Sequence, residues 1–86
     1  MQGNTANRGG RMKVTVYSKP NCGACDITKQ WLNSHNVPYT AIDAYEDEQA
    51  MQEIQSHGFM SFPVVTVGSF DNAWTGFEIS RLEELL

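Results

Sequence analysis

The sequence predicts an α/β fold with the element order β-α-β-α-β-β-α. Three observations carry that prediction. Short β-branched runs alternate with segments whose apolar residues recur at helical offsets. The first run, Lys13–Tyr17, passes through Pro20 and Asn21 into a stretch free of Gly and Pro, Asp26–Leu32. A later run, Val64–Val67, is the strongest strand signal in the chain. Pro63 stands at its entrance, where the missing N–H breaks no ladder bond.

Taken in order, Met1–Arg11 is polar and rich in Gly and Asn, and reads as a disordered extension preceding a domain over residues 12–86. Lys13–Tyr17 is the first strand. The first helix is expected from Gly23 to His35, with Ala24, Thr28, Trp31, Leu32 and His35 on one face. Pro38 prevents its continuation. Tyr39–Asp43 is a short second strand with Ile42 as its clearest buried residue. Because a helix lies between them, the first two strands should be parallel with a right-handed crossover. A second helix spans Glu46–His57, with Glu46, Asp47 and Glu48 crowding its first turn and Ala50, Met51 and Ile54 forming a narrow apolar stripe. Gly58 fits its stop. After Val64–Val67, Gly68–Asn72 makes a hairpin-like connection to a short strand at Ala73-Trp74. Thr75-Gly76-Phe77-Glu78 matches a capping box, with Thr75 as N-cap. The closing helix, Glu78–Leu86, should bury Ile79 and Leu82, with Leu85 or Leu86 as a further candidate.

With 86 residues the chain makes one domain with a modest core. A hydrophobic fraction of 41% is that of a globular protein. The formal net charge of −4 argues against nucleic acid as a partner, since a binder would present a basic face. Two cysteines are too few for a disulfide-rich secreted scaffold. No apolar segment is long enough to span a bilayer, and the N-terminus has no hydrophobic core of a secretory signal. A cytoplasmic location is the expectation, with the cysteines mostly reduced there and cycling during work.

Those cysteines, Cys22 and Cys25, stand in a Cys-x-x-Cys spacing at the strand-to-helix turn. The first N–H groups of a helix lack intrahelical partners, and the positive end of its dipole lowers a nearby thiol pKa from ~8.5 into the range ~3.5–7.5. Cys22, ahead of the helix, is the expected exposed nucleophile; Cys25, one turn in, is the more buried partner. Lys19 adds positive potential and Asp26 works weakly against it. A redox pair is therefore the leading reading. The competing one is half of a zinc or iron–sulfur site, which needs about four ligands. His35 and His57 lack the paired spacing for it and read instead as groups compatible with helix C-termini.

The element order, Cys22-Gly-Ala-Cys25 after the first strand and Pro63 before the third resemble the thioredoxin fold, most closely its glutaredoxin branch. Within that branch the chain resembles the NrdH-redoxins, small electron donors to class Ib ribonucleotide reductase. The resemblance covers residues 12–86. It rests on Val-Tyr-Ser-Lys-Pro-Asn-Cys at 16–22, Thr28-Lys29, Gly58-Phe59, Phe62-Pro63-Val64-Val65 and Trp74-Thr75-Gly76-Phe77. It implies a four-stranded mixed sheet in the order second, first, third, fourth, flanked by three helices.

Glutathione-using glutaredoxins typically carry Gly-Gly-x-x-Asp where this chain has Thr75-Gly76-Phe77-Glu78-Ile79. Phe77 replaces the second glycine, and no Asp follows. The resemblance therefore implies reduction by thioredoxin reductase, with NADPH acting indirectly and no cofactor bound. It implies ribonucleotide reductase or another disulfide-containing protein as acceptor, and a monomer. A glutathione-dependent glutaredoxin is the rival reading. NrdH-redoxins commonly have bulkier, more polar residues between the cysteines than Gly23-Ala24, a departure that bears on reduction potential. By the same resemblance Pro63 is a cis-proline facing the cysteines, which leaves the Phe62 backbone free to pair with an extended substrate. Thr75, Gly76, Trp74 and Phe77 complete the expected partner-binding set, although Trp74 and Phe77 also fit as core residues.

Overall fold

The structure is a computed structural model and describes residues 13–86. The expected extension over residues 1–11, and Met12, lie outside the described residues. The elements follow in the expected order: β1 (Val14–Ser18), α1 (Gly23–Ser34), β2 (Thr40–Asp43), α2 (Glu48–Ser56), β3 (Val64–Val67), β4 (Ser69–Thr75) and α3 (Ile79–Glu83). The sheet runs β2-β1-β3-β4. β1 and β2 are parallel, as the α1 crossover between them requires, while β3 runs antiparallel to both β1 and β4. Tyr17 stands opposite Val64, and Val64 opposite Thr75. That register sets the end of β1, the start of β3 and the end of β4 side by side.

Alternation along the strands sends side chains to two faces. On one, Val14, Val16, Val65, Val67 and Trp74 pack with Leu32 of α1 and Leu82 of α3. On the other, Tyr17 and Val64 pack with Ala44 and with Ala50 and Ile54 of α2. Leu32 and Leu82 are fully buried, and each such side chain removed from water contributes about 1.5–3 kcal/mol.

Three boundaries differ from expectation. β4 is a seven-residue strand rather than a short one at Ala73-Trp74. Gly68, at φ +83°, makes the reversal alone, and pairing starts at Ser69, with a register shift between Thr66 and Val67. Ser69, Asp71 and Asn72 look like loop residues in sequence, yet they lie exposed on an edge strand, where polar side chains are compatible with pairing.

The second helix starts at Glu48, not Glu46. Asp47 is its N-cap, with Oδ1 accepting the Ala50 N–H at 3.0 Å. Glu46 belongs to the preceding turn and donates its N–H to the Asp43 carbonyl at 3.0 Å.

The closing helix is the third correction. Thr75 is held in the ladder opposite Val64 and cannot serve as N-cap. Glu78 takes that position without a side-chain cap, and α3 spans five residues. Ile79, expected in the core, is 47% exposed, and Leu82 alone of the helix is buried.

Candidate active site

β1 ends at Ser18. Asn21, at φ +56°, turns the chain, and Cys22 adopts an extended conformation as the N-cap of α1. Its Sγ accepts the Cys25 N–H at 3.1 Å, in the place where a Ser or Asp oxygen usually satisfies an unpaired helical donor. Cys22 is half-buried and Cys25 is 1% exposed. The two are joined as a disulfide with Cα atoms 5.2 Å apart. The N–H and the helix dipole favour negative charge on Cys22 once the bond is reduced.

Thr28 lies one turn beyond Cys25 on the buried face. Its hydroxyl donates to the Ala24 carbonyl at 2.7 Å, so this fully buried polar side chain is satisfied within its own helix.

Phe62 and Pro63 precede β3 and are joined by a cis peptide bond. Because the β3–β1 and β3–β4 ladders begin at Val64, Phe62 stays outside them. No turn or loop backbone hydrogen bond engages it among the described residues. Gly76, at φ +84°, donates its N–H to the Pro63 carbonyl at 2.9 Å and so ties the end of β4 to the proline. Ala44 donates to the Ser18 carbonyl at 2.8 Å, which brings the β2–α2 loop to the same end of the sheet. Lys19, Cys22, Phe62, Pro63, Thr75 and Gly76 thus gather where β1 meets α1.

Trp74 does not join them. It stands opposite Val65, points to the α1 face and is 7% exposed. The expectation of a partner-facing ring is corrected: the indole belongs to the core, under the Arg81 guanidinium at 4.7 Å from its centroid. Its Nε1 has no hydrogen-bond partner among the described residues. Phe77 is partly buried and packs against the same cluster.

His35 and His57 cap α1 and α2, each with Nδ1 2.9 Å from the carbonyl one turn back, Trp31 and Glu53 respectively. Among the described residues no group of three or more His, Cys, Asp or Glu is placed to hold a metal ion. No helix among them is long and apolar enough to cross a membrane.

Two aromatic residues escaped the sequence reading. Tyr45, 62% exposed, sets its ring edge-on to Phe62 at 6.2 Å. Phe70, expected in a loop, stacks on Tyr17 at 5.5 Å and on His57 at 4.6 Å. Exposed-looking neighbours hid the first, and the misplaced hairpin hid the second. Burial, with the nearby charges of Glu53 and Asp47, raises the Tyr17 pKa above its usual value.

A β2-β1-β3-β4 sheet with a cysteine pair at the start of the first helix defines a thiol–disulfide oxidoreductase of thioredoxin-like fold. The Glutaredoxin family model matches residues 14–70, and the chain belongs to that family, in its NrdH-redoxin branch. It is 38% identical over 72 residues to the glutaredoxin-like protein NrdH of Lactococcus lactis subsp. cremoris (strain MG1363), covering 84% of this chain and 97% of that protein. It is 27% identical over 74 residues to NrdH of Escherichia coli (strain K12), covering 86% and 89%. The solved structure of E. coli NrdH-redoxin superposes with a TM-score of 0.80 at 25% identity, over 87% of this chain and 96% of that one.

Proposed function

We propose that this oxidoreductase carries electrons in the cytoplasm, as a monomer, from thioredoxin reductase to the disulfide of ribonucleotide reductase or of another protein. The Cys22 thiolate attacks one sulfur of the substrate disulfide. A mixed disulfide forms and one substrate thiolate leaves. The Cys25 thiolate then attacks Cys22 Sγ, expels the second substrate thiolate and closes the Cys22–Cys25 disulfide. Two electrons pass to the substrate, and thioredoxin reductase returns two from NADPH.

The observation that carries this reading is the Cys25 N–H donated to Cys22 Sγ at 3.1 Å, with Cys22 the more exposed sulfur. The Phe62 backbone, outside the ladder, offers one N–H and one C=O to an extended substrate segment. Phe77, packed on the core where glutathione-users carry glycine, supports a reductant other than glutathione. The E. coli NrdH-redoxin is itself described as having a thioredoxin-like activity profile.

The test is NADPH oxidation coupled to reduction of a disulfide acceptor, with thioredoxin reductase compared with glutathione and glutathione reductase. Turnover is expected with thioredoxin reductase. Turnover with glutathione alone would overturn the choice of reductant.

A further inference from the structure

Tyr45 holds a large ring in solvent, 62% exposed, at the end of the sheet where the cysteine pair lies. Short backbone bonds fix it there. Its N–H donates to Asp43 Oδ1 at 2.9 Å. On its two sides Ala44 donates to the Ser18 carbonyl at 2.8 Å and Glu46 to the Asp43 carbonyl at 3.0 Å. Ala44 is buried with Ala50 and Ile54, so the turn takes its neighbour into the core and leaves the Tyr45 ring outside. A contact surface held in place before binding costs less ordering when a partner arrives.

The place of the ring in the sheet says what it can meet. β1 lies between β2 and β3, so the edge-on contact of Tyr45 with Phe62 at 6.2 Å spans the end of β1. Phe62 packs on the cluster of Tyr17, Ile54 and Val64, which is the α2 face of the sheet. Cys22 caps α1, and α1 packs through Leu32 on the opposite face. Side chains of an extended segment alternate between two faces. A segment paired to the Phe62 backbone, with its cysteine turned to Cys22, therefore sends the side chains on either side of that cysteine to the α2 face. There they meet the Tyr45 ring. An aliphatic side chain gains by covering the ring and losing water. Asp43 and Glu46, both exposed and within two residues of Tyr45, oppose a carboxylate brought to the same spot.

We propose that Tyr45 is a specificity-determining residue of this oxidoreductase: it receives an aliphatic side chain next to the reactive cysteine of a protein substrate and disfavours an acidic one. The inference rests on the reading above, in which the Phe62 backbone takes an extended substrate segment. Tyr45 acts on how well that segment docks. The sulfur chemistry of Cys22 and Cys25 is the same with or without it.

The test is a single turnover of the reduced full chain with disulfide-linked dimers of acetyl-Leu-Cys-Leu-amide, acetyl-Ser-Cys-Ser-amide and acetyl-Glu-Cys-Glu-amide. Released peptide thiol is measured by mass spectrometry, and each rate is divided by that of the same dimer with dithiothreitol, which removes the intrinsic reactivity of the disulfide. The leucine dimer should exceed the serine dimer by roughly three- to tenfold. The serine dimer should exceed the glutamate dimer by roughly two- to fivefold at low salt. Tyr45→Phe keeps the ring and should keep the leucine preference. Tyr45→Ala should bring the leucine-to-serine ratio close to one. Met60→Ala removes another exposed apolar side chain, two residues before Phe62, and should leave the ratio in place. Each variant is judged by a ratio of its own rates, so a general loss of stability does not imitate the effect. A wild-type ratio near one with all dimers reduced would overturn the role of Tyr45 and leave the oxidoreductase reading standing. An unchanged ratio in Tyr45→Ala, or its loss in Met60→Ala, would also overturn it. Reduction of none of the dimers would overturn docking at Phe62 and this inference with it.

Discussion

The Cys25 N–H points at Cys22 Sγ from 3.1 Å, a placement that favours negative charge on the first cysteine once the disulfide is reduced, while Cys25 itself lies buried. In the proposed cycle one residue therefore serves two steps, as a donor to the attacking thiolate and as the thiol that resolves the mixed disulfide.

The two roles separate on mutation. Cys22→Ser is expected to abolish disulfide reduction. Cys25→Ser keeps the attacking thiol and the backbone donor, so it should accumulate a mixed disulfide with substrate. Mass spectrometry under non-reducing conditions checks both. Alkylation of the reduced protein near neutral pH should label Cys22 well before Cys25; equal labelling would contradict the difference in burial.

Gly76→Ala probes the tie between β4 and the proline. Gly76 holds φ +84°, a conformation costing an L-residue about 1–2 kcal/mol. A Cβ built there meets nothing within 4 Å, so no clash adds to the backbone term. The variant should fold, with stability lowered by about 1 kcal/mol in urea titration. A neutral result would mean the loop relaxes and the Gly76–Pro63 bond is lost, which the Gly76 amide exchange rate would reveal.

Asp47→Ala should cost about 1 kcal/mol through loss of the 3.0 Å bond from Ala50 N–H. Glu46→Ala should cost far less, since Glu46 lies outside α2. The pair of urea midpoints distinguishes the observed helix start from one at Glu46.

How much of this was legible in the chain depended on how local the cause was. Val64–Val67 is a buried β-branched run, and its observed limits coincide with the run. The start of α1 follows from the turn at Asn21 and the cap at Cys22, both adjacent in sequence. The first part of β4 reads as a connection because an edge strand tolerates Ser69, Asp71 and Asn72, residues whose local preference is for loops. The capping box at Thr75 failed because pairing with Val64, eleven positions away, outweighs a cap worth about 1 kcal/mol. At the site, the cysteines and Pro63 could be read from spacing and resemblance. For Trp74 the sequence left a surface and a core reading open, and the α1-side cluster with Leu32 and Leu82 decides for the core. Tyr45 beside Phe62 is likewise a product of loops brought together only by the sheet register.

Tyr17 makes stability depend on alkaline pH. Its folded pKa lies above the ordinary 10.0, first because of burial and then because Glu53 and Asp47 oppose a second negative charge. The neutral phenol's contribution is therefore complete below the unfolded pKa. It declines as pH rises above 10.0 and is lost once pH passes the folded pKa, because the unfolded chain releases the proton more readily. Urea titrations of the oxidised protein at neutral pH and above pH 10 should show that decline. Tyr17→Phe should flatten it, while Tyr45→Phe, on an exposed ring, should leave it in place. An identical alkaline decline in Tyr17→Phe would remove Tyr17 as its source.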